Sequence, residues 1–201
     1  MDYNQFISIS FIDAVNTAFP KIRNLKKLLI EGANINFQTA ENGTTALMMA
    51  VEGHHDRIVE YLLAQGANPL LKNHGNKIAS ELISRHSTIY PILKDFELLF
   101  ATMNNDLPTI KSIITDGALV NFQGMGGYTA LMIAVEQNYQ EIVEYFLHQG
   151  ADLLITRTDG QTAFGLTTDS EILLLLEWAK NLSNEIQQVP QKNTHRFFAI
   201  L

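Results

Sequence analysis

The sequence predicts an all-α repeat solenoid, a stack of helix-turn-helix units arranged as two tandem triplets. Three observations lead there. Residues 43–67 return as residues 127–151 with 16 of 25 positions identical. Each copy holds two short apolar runs at helical spacing, separated by a polar turn. Each second run is followed by Gly66 or Gly150, a residue able to end a helix in the left-handed conformation. A chain that repeats itself at a fixed spacing stacks copies of one small unit, and such stacks act through an extended surface more often than through a reactive pocket.

The units follow in order. Leu25, Leu28, Leu29 and Gly32 form the second half of a first unit. In the second unit Leu47, Ala50 and Val51 lie on one helix face, and Thr45 stands where an N-cap hydroxyl accepts an amide hydrogen bond. Residues 53–56 make a polar turn, and Ile58, Val59, Leu62 and Leu63 give an antiparallel second helix. The third unit, residues 75–82, is degenerate.

At the join, Tyr90 and Pro91 run straight into Leu98, Leu99 and Phe100 without a glycine-ended connector. Pro91 starts or kinks a helix there, so the stack is expected to be interrupted near 87–97, with its connecting β-hairpin missing. Asp106 and Pro108 open the second helix of the fourth unit, where a missing amide does no harm. The fifth unit copies the second, and the sixth, from Gly160 to Leu166, is again degenerate. The boundaries expected are 11–95, 96–182 and a polar tail at 183–201 containing Pro190. Phe197 and Phe198 in that tail either begin another unit or fold back on the stack.

Composition narrows the function classes. The chain has 201 residues, 46% of them hydrophobic, enough for a substantial core. A net charge of −7 with scattered Lys and Arg argues against a nucleic-acid backbone as partner. The chain has no cysteine, so disulfides and thiolate metal sites are excluded. No Lys or Arg precedes Lys21, unlike a signal peptide, and the apolar run at 172–176 is too short to span a bilayer. The chain reads as soluble and cytoplasmic.

Catalytic and metal chemistry find no foothold. His54 and His55 are adjacent, so on a helix they point apart, and no His-x-x-x-His pair occurs. Gly124, Gly126 and Gly127 form a glycine-rich loop without a Walker lysine, as in a hairpin turn. Trp178 is expected in the core. No catalytic residue, metal site or cofactor is expected.

The unit of about 33 residues resembles the ankyrin repeat. The resemblance rests on Gly43, Thr45, Ala46, Leu47, Ala50, Val59, Leu62, Leu63, Gly66, Ala67 and Asn68, and on their counterparts in the second copy. Two departures stand out: Ala46 and Ala130 replace the usual Pro, and Met48 and Met132 the usual His. Met fills by packing the space where that His links neighbouring repeats. The resemblance implies an ankyrin-type stack with short β-hairpin fingers and a protein partner held by finger tips and concave face.

Carried over, the implied tips are Glu41, Asn42 and Thr44, with Met125, Gly126 and Tyr128 in the second copy. The implied groove positions are Met48, Glu52 and Gly53, with Met132, Glu136 and Gln137. Glu52 and Glu136 suggest an acidic stripe, and Tyr128 and Met125 are the strongest anchors. The function expected is a non-enzymatic, monomeric protein-interaction module. Two alternatives stay open: a bacterial effector delivered into the host cytosol, or the regulatory or recognition part of a larger enzyme.

Overall fold

A computed structural model describes residues 3–17 and 19–188. Among these residues there are nine α-helices and no β-strand. In order they are α1 (Tyr3–Val15), α2 (Ile22–Ile30), α3 (Ala46–Glu52), α4 (Asp56–Ala64), α5 (Tyr90–Met103), α6 (Leu107–Thr115), α7 (Ala130–Glu136), α8 (Gln140–His148) and α9 (Ser170–Gln188). Single 3-10 turns occupy Ala79–Leu82 and Ala163–Leu166, where the third and sixth units would hold their inner helices. The inner elements form one row of successive neighbours: α1, α3, the turn at 79–82, α5, α7 and the turn at 163–166. Helices α2, α4, α6 and α8 pack behind α1, α3, α5 and α7, and α9 packs on α8.

Local chemistry sets the helix ends. Thr45 Oγ1 accepts from Met48 N at 3.2 Å and Thr129 Oγ1 from Met132 N at 3.2 Å, so both inner helices start at capped hydroxyls. They stop where His54 (φ 53°) and Asn138 (φ 57°) turn left-handed. The His55 amide then reaches back to Ala50 O at 2.9 Å, and the Tyr139 amide to Ala134 O at 2.9 Å, closing the last turn. Asp106 caps α6 by accepting from Thr109 N at 3.1 Å.

The core is apolar and continuous from Phe11 in α1 to Leu176 in α9. Leu47, Val51, Val59, Leu62 and Leu63 are fully buried, each contributing about 1.5–3 kcal/mol by leaving water.

Between successive units the joints are polar. Asn36 Oδ1 accepts from Asn68 N at 2.8 Å, and its counterpart Asn121 Oδ1 accepts from Asp152 N at 2.8 Å. Gln38 Nε2 donates to Gly43 O (2.9 Å) and Lys72 O (2.8 Å), and Gln123 Nε2 to Gly127 O (2.9 Å) and Thr156 O (2.9 Å). These amides tie each loop to the next unit, the linking role that the sequence left without a carrier once Met replaced His.

Four expectations are corrected. The fingers are turns and not β-hairpins: isolated bonds such as Thr39 N to Thr44 O (3.1 Å) and Gly124 N to Tyr128 O (2.9 Å) close them, and no ladder extends from either. The join near 87–97 lacks a finger, but the packing is not broken there, because α5 runs as one 14-residue helix that touches both the turn at 79–82 and α7. Helix α1 begins at Tyr3, ahead of the boundary at 11, and α9 continues through 183–188, into the expected polar tail. Trp178 is half-exposed and not core, lying 6.2 Å from the His148 ring. Residues 189–201, with Pro190, Phe197 and Phe198, lie outside the described residues.

The join also buries charge. Lys94 Nζ sits 2.9 Å from Glu97 Oε2 and 3.5 Å from Asp116 Oδ2, with Arg85 3.5 Å from the other Asp116 oxygen. Burial raises the Glu97 carboxyl above its ordinary value, against the bond from Lys94. Burial works to lower Lys94, but the bond to Glu97 and the attraction of Glu97, Tyr90 and Asp116 outweigh it and hold Lys94 above its ordinary value. Asp95 is raised by burial, although its Oδ1 accepts from Leu119 N at 2.7 Å.

Candidate partner-binding groove

In the second half, α5, the loop at 124–128 and α7 enclose a groove of about 470 Å³. Leu99 and Ile133 form its buried floor, Met103 and Met125 its apolar walls, and Tyr128, Glu136 and Gln137 its rim. Helix geometry sets this lining: Ile133, Glu136 and Gln137 fall at i, i+3, i+4 on one face of α7.

The loop is shaped by close approach. A Cβ on Gly127 (φ 76°) would stand 3.0 Å from the Arg157 backbone, so only glycine lets the loop of the next unit come this near. Thr158 N accordingly donates to Gly126 O at 3.0 Å, tip to tip. That contact carries Arg157 over Tyr128. Its guanidinium carbon lies 4.9 Å from the ring centroid, and Arg157 donates to the Tyr128 hydroxyl. The same hydroxyl donates to Glu136 Oε1 at 2.9 Å, and Arg157 lies 3.7 Å from that oxygen. Asp159 grips the guanidinium from outside, with Oδ1 2.8 Å from Arg157 Nε.

The electrostatics follow from this order of charges. The Arg157 bond and the Gln161 amide pull the Asp159 carboxyl down to about 2. Burial and the Glu136 carboxylate beside it raise the Tyr128 phenol, with Arg157 opposing. Tyr128 is therefore a fixed, neutral ring with its hydroxyl engaged on both sides.

Of the twelve sequence-expected positions, Met125, Tyr128, Glu136 and Gln137 line this groove together. Gly126 is exposed at the adjoining tip. Glu41, Asn42, Glu52 and Gly53 are exposed on the first half but do not join the groove. Thr44, Met48 and Met132 are buried and unavailable to a partner. Thr44 is closed in by its own loop, its amide bonded to Thr39 Oγ1 (3.0 Å) and Asn42 Oδ1 (3.0 Å). For the methionines the reason is register: the groove side of α7 is set by Ile133 and Glu136, and the equivalent side of α3 by Met49 and Glu52, one residue and about 100° round the helix from 132 and 48.

Sequence reasoning missed Leu99, Met103, Ile133 and Arg157. The spacing from Ile133 to Glu136 carried a signal for the first of these rows. Arg157 carried none, standing 29 residues from Tyr128 in a connector. Among the described residues, no three His, Asp or Glu side chains are placed to hold a metal ion. No described helix is long and apolar enough to cross a membrane.

Comparison with known proteins agrees with the stack. The chain is 36% identical over 85 residues to ankyrin repeat and SAM domain-containing protein 6 of Rattus norvegicus, covering 39% of this chain and 10% of that protein. It is 27% identical over 183 residues to the mitochondrial disaggregase of Bos taurus, covering 89% and 24%. It is 38% identical over 68 residues to the 2-5A-dependent ribonuclease of Homo sapiens, covering 33% and 9%. The chain thus spans a quarter or less of the length of these relatives. A family model described as ankyrin repeats in three copies matches twice, over residues 13–93 and 75–157. Two overlapping matches across most of a stack of this geometry leave one conclusion: the chain belongs to the ankyrin repeat family.

Proposed function

We propose that this chain is a non-enzymatic interaction module whose second-half groove seats an apolar side chain of a protein partner against Tyr128. Ankyrin repeats in general mediate protein–protein interaction and are typically not catalytic. The single observation carrying the narrower reading is the preset rim. Tyr128 is held between Arg157 and Glu136 over an apolar floor, so a partner meets a ring that has already lost its freedom. The first copy has no equivalent, because Thr44 and Glu41 stand where Tyr128 and Met125 stand in the second.

The test compares the proteins captured by wild type and by Met103→Glu, a change at an exposed wall of the groove. The proposal expects a defined subset to be lost while the melting temperature is kept. An unchanged set moves the binding surface to the exposed Glu41, Asn42, Glu52 and Gly53 of the first half.

A second reading is the recognition part of a larger enzyme. It draws support from relatives whose names denote enzymes and of which this chain covers a quarter or less. Delivery into a host cell rests on the tail, most of which lies outside the described residues.

A further inference from the structure

The chain contains one interface whose two halves recur at opposite ends of the stack. The interface is the join, where the turn at 79–82 meets α5. Its first half recurs 84 residues on, as the turn at 163–166, which packs beside α7 as the turn at 79–82 packs beside α3. Its second half recurs 87 residues earlier, as α1. One shared hydrogen bond fixes that alignment: Ser8 Oγ accepts from Asn34 N (3.0 Å), as Asp95 Oδ1 accepts from Leu119 N (2.7 Å). Asn34 and Leu119 each stand two residues beyond the glycine that ends the outer helix.

In the join, Tyr90, Lys94 and Glu97 share a cleft with Leu70, Ile78 and Ser80 of the preceding unit. Tyr90 is 8% exposed and Leu93, on the same helix, 0%. Their counterparts on α1 are Tyr3, 69% exposed, and Phe6, 59% exposed. At the other end Leu70 corresponds to Leu154, 72% exposed, and Ser80 to the partly exposed Phe164, over whose ring α9 places Lys180 Nζ at 5.6 Å. Tyr3, Phe6 and Ser10 keep the spacing of Tyr90, Leu93 and Glu97 on one helix face. The outer version is also more apolar, with Ser10 and Phe164 replacing the buried Glu97 and Ser80.

We propose that a second copy of this chain docks its α1, through Tyr3 and Phe6, against Leu154 and Phe164 of the first. The contact is head-to-tail, so a pair still presents one face of each kind, and assembly proceeds end to end instead of stopping at a symmetric dimer. This inference stands apart from the groove and departs from the monomer that the sequence suggests.

The test is sedimentation velocity of the full chain across a wide concentration range. Wild type should associate, and Phe6→Ser and Leu154→Ser should each weaken association about tenfold or more. An equimolar mixture of the two variants should form dimers and nothing larger, because it offers one intact head and one intact tail. Both changes lie at exposed positions, and far-ultraviolet circular dichroism checks that the fold is kept; Tyr3→Ser provides a second head variant. Wild type that stays monomeric throughout, association that the variants leave intact, or a mixture that fails to pair would each overturn the proposal.

Discussion

Arg157 lies over the Tyr128 ring at 4.9 Å while Tyr128 bonds Glu136 at 2.9 Å, so two units of the stack grip one side chain. The ring and the hydroxyl can be separated by mutation. Tyr128→Phe keeps the ring beneath Arg157 and removes both hydroxyl bonds, and Tyr128→Ala removes everything. If the ring is the anchor, partner affinity measured by calorimetry falls less than about threefold for the Phe variant and more than about tenfold for Ala. Equal losses would place recognition in the hydroxyl and its charged neighbours.

The register on α7 makes a second distinction. Met132 is buried among the inner helices, and Met103 stands on the groove wall, partly in water. Met132→Ala should cost about 2–5 kcal/mol in denaturant unfolding through loss of packing and a residual cavity. Met103→Ala should stay within about 1 kcal/mol and change binding only. Similar stability losses for both would mean that the groove wall is core.

How far the sequence disclosed this can be traced to particular residues. Leu47, Val51, Val59 and Leu62 announce their helices because burial imposes helical spacing on them. Thr45 and Gly66 mark helix ends for reasons internal to a few residues. The methionines at 48 and 132 misled because family correspondence gives a position and not an angle, and one residue turns a helix by about 100°. Arg157 was illegible because its partner is brought to it only by the approach of Gly127 to the next loop. Glu97 and Lys94 look like solvated charges in a linear reading, and only the packing of α5 against the turn at 79–82 buries them.

The side-chain amides joining adjacent units lead to a third expectation. Asn36→Ala removes the acceptor for the Asn68 amide, and Asn121→Ala the acceptor for Asp152. Asn36→Ala should cost about 1–2 kcal/mol, since the orphaned amide loses its bond in a partly enclosed joint, and Asn121→Ala less, about 0.5 kcal/mol, because its joint is open to water. Hydrogen exchange should quicken at Asn68 in the first variant and at Asp152 in the second, with the other half unchanged. Uniform quickening would mean that the stack opens as one unit and not joint by joint.

The charged join gives stability a pH dependence of predictable sign. Burial raises the folded Glu97 carboxyl above its ordinary 4.5, with Lys94 and Tyr90 on its own helix, Ser80 and Glu81 on the facing turn, and Asp116 and Arg85 across the cleft. A carboxyl raised in the folded state favours folding when protonated. Its contribution is fully present below 4.5 and is lost as pH climbs through the raised value. Asp95, also raised by burial, acts in the same direction from 3.8 upward. Asp159, held down to about 2, acts in the opposite sense: its contribution is present above 3.8 and lost as pH falls toward 2. In the window just above 4.5, therefore, acidification should strengthen the join before Asp159 begins to weaken the loop. Glu97→Gln removes the titration while keeping the shape, so the wild-type melting temperature should gain on the variant as pH is lowered from neutral toward 4.5. Parallel curves would show that Glu97 stays ionised across that range, with Lys94 outweighing its burial.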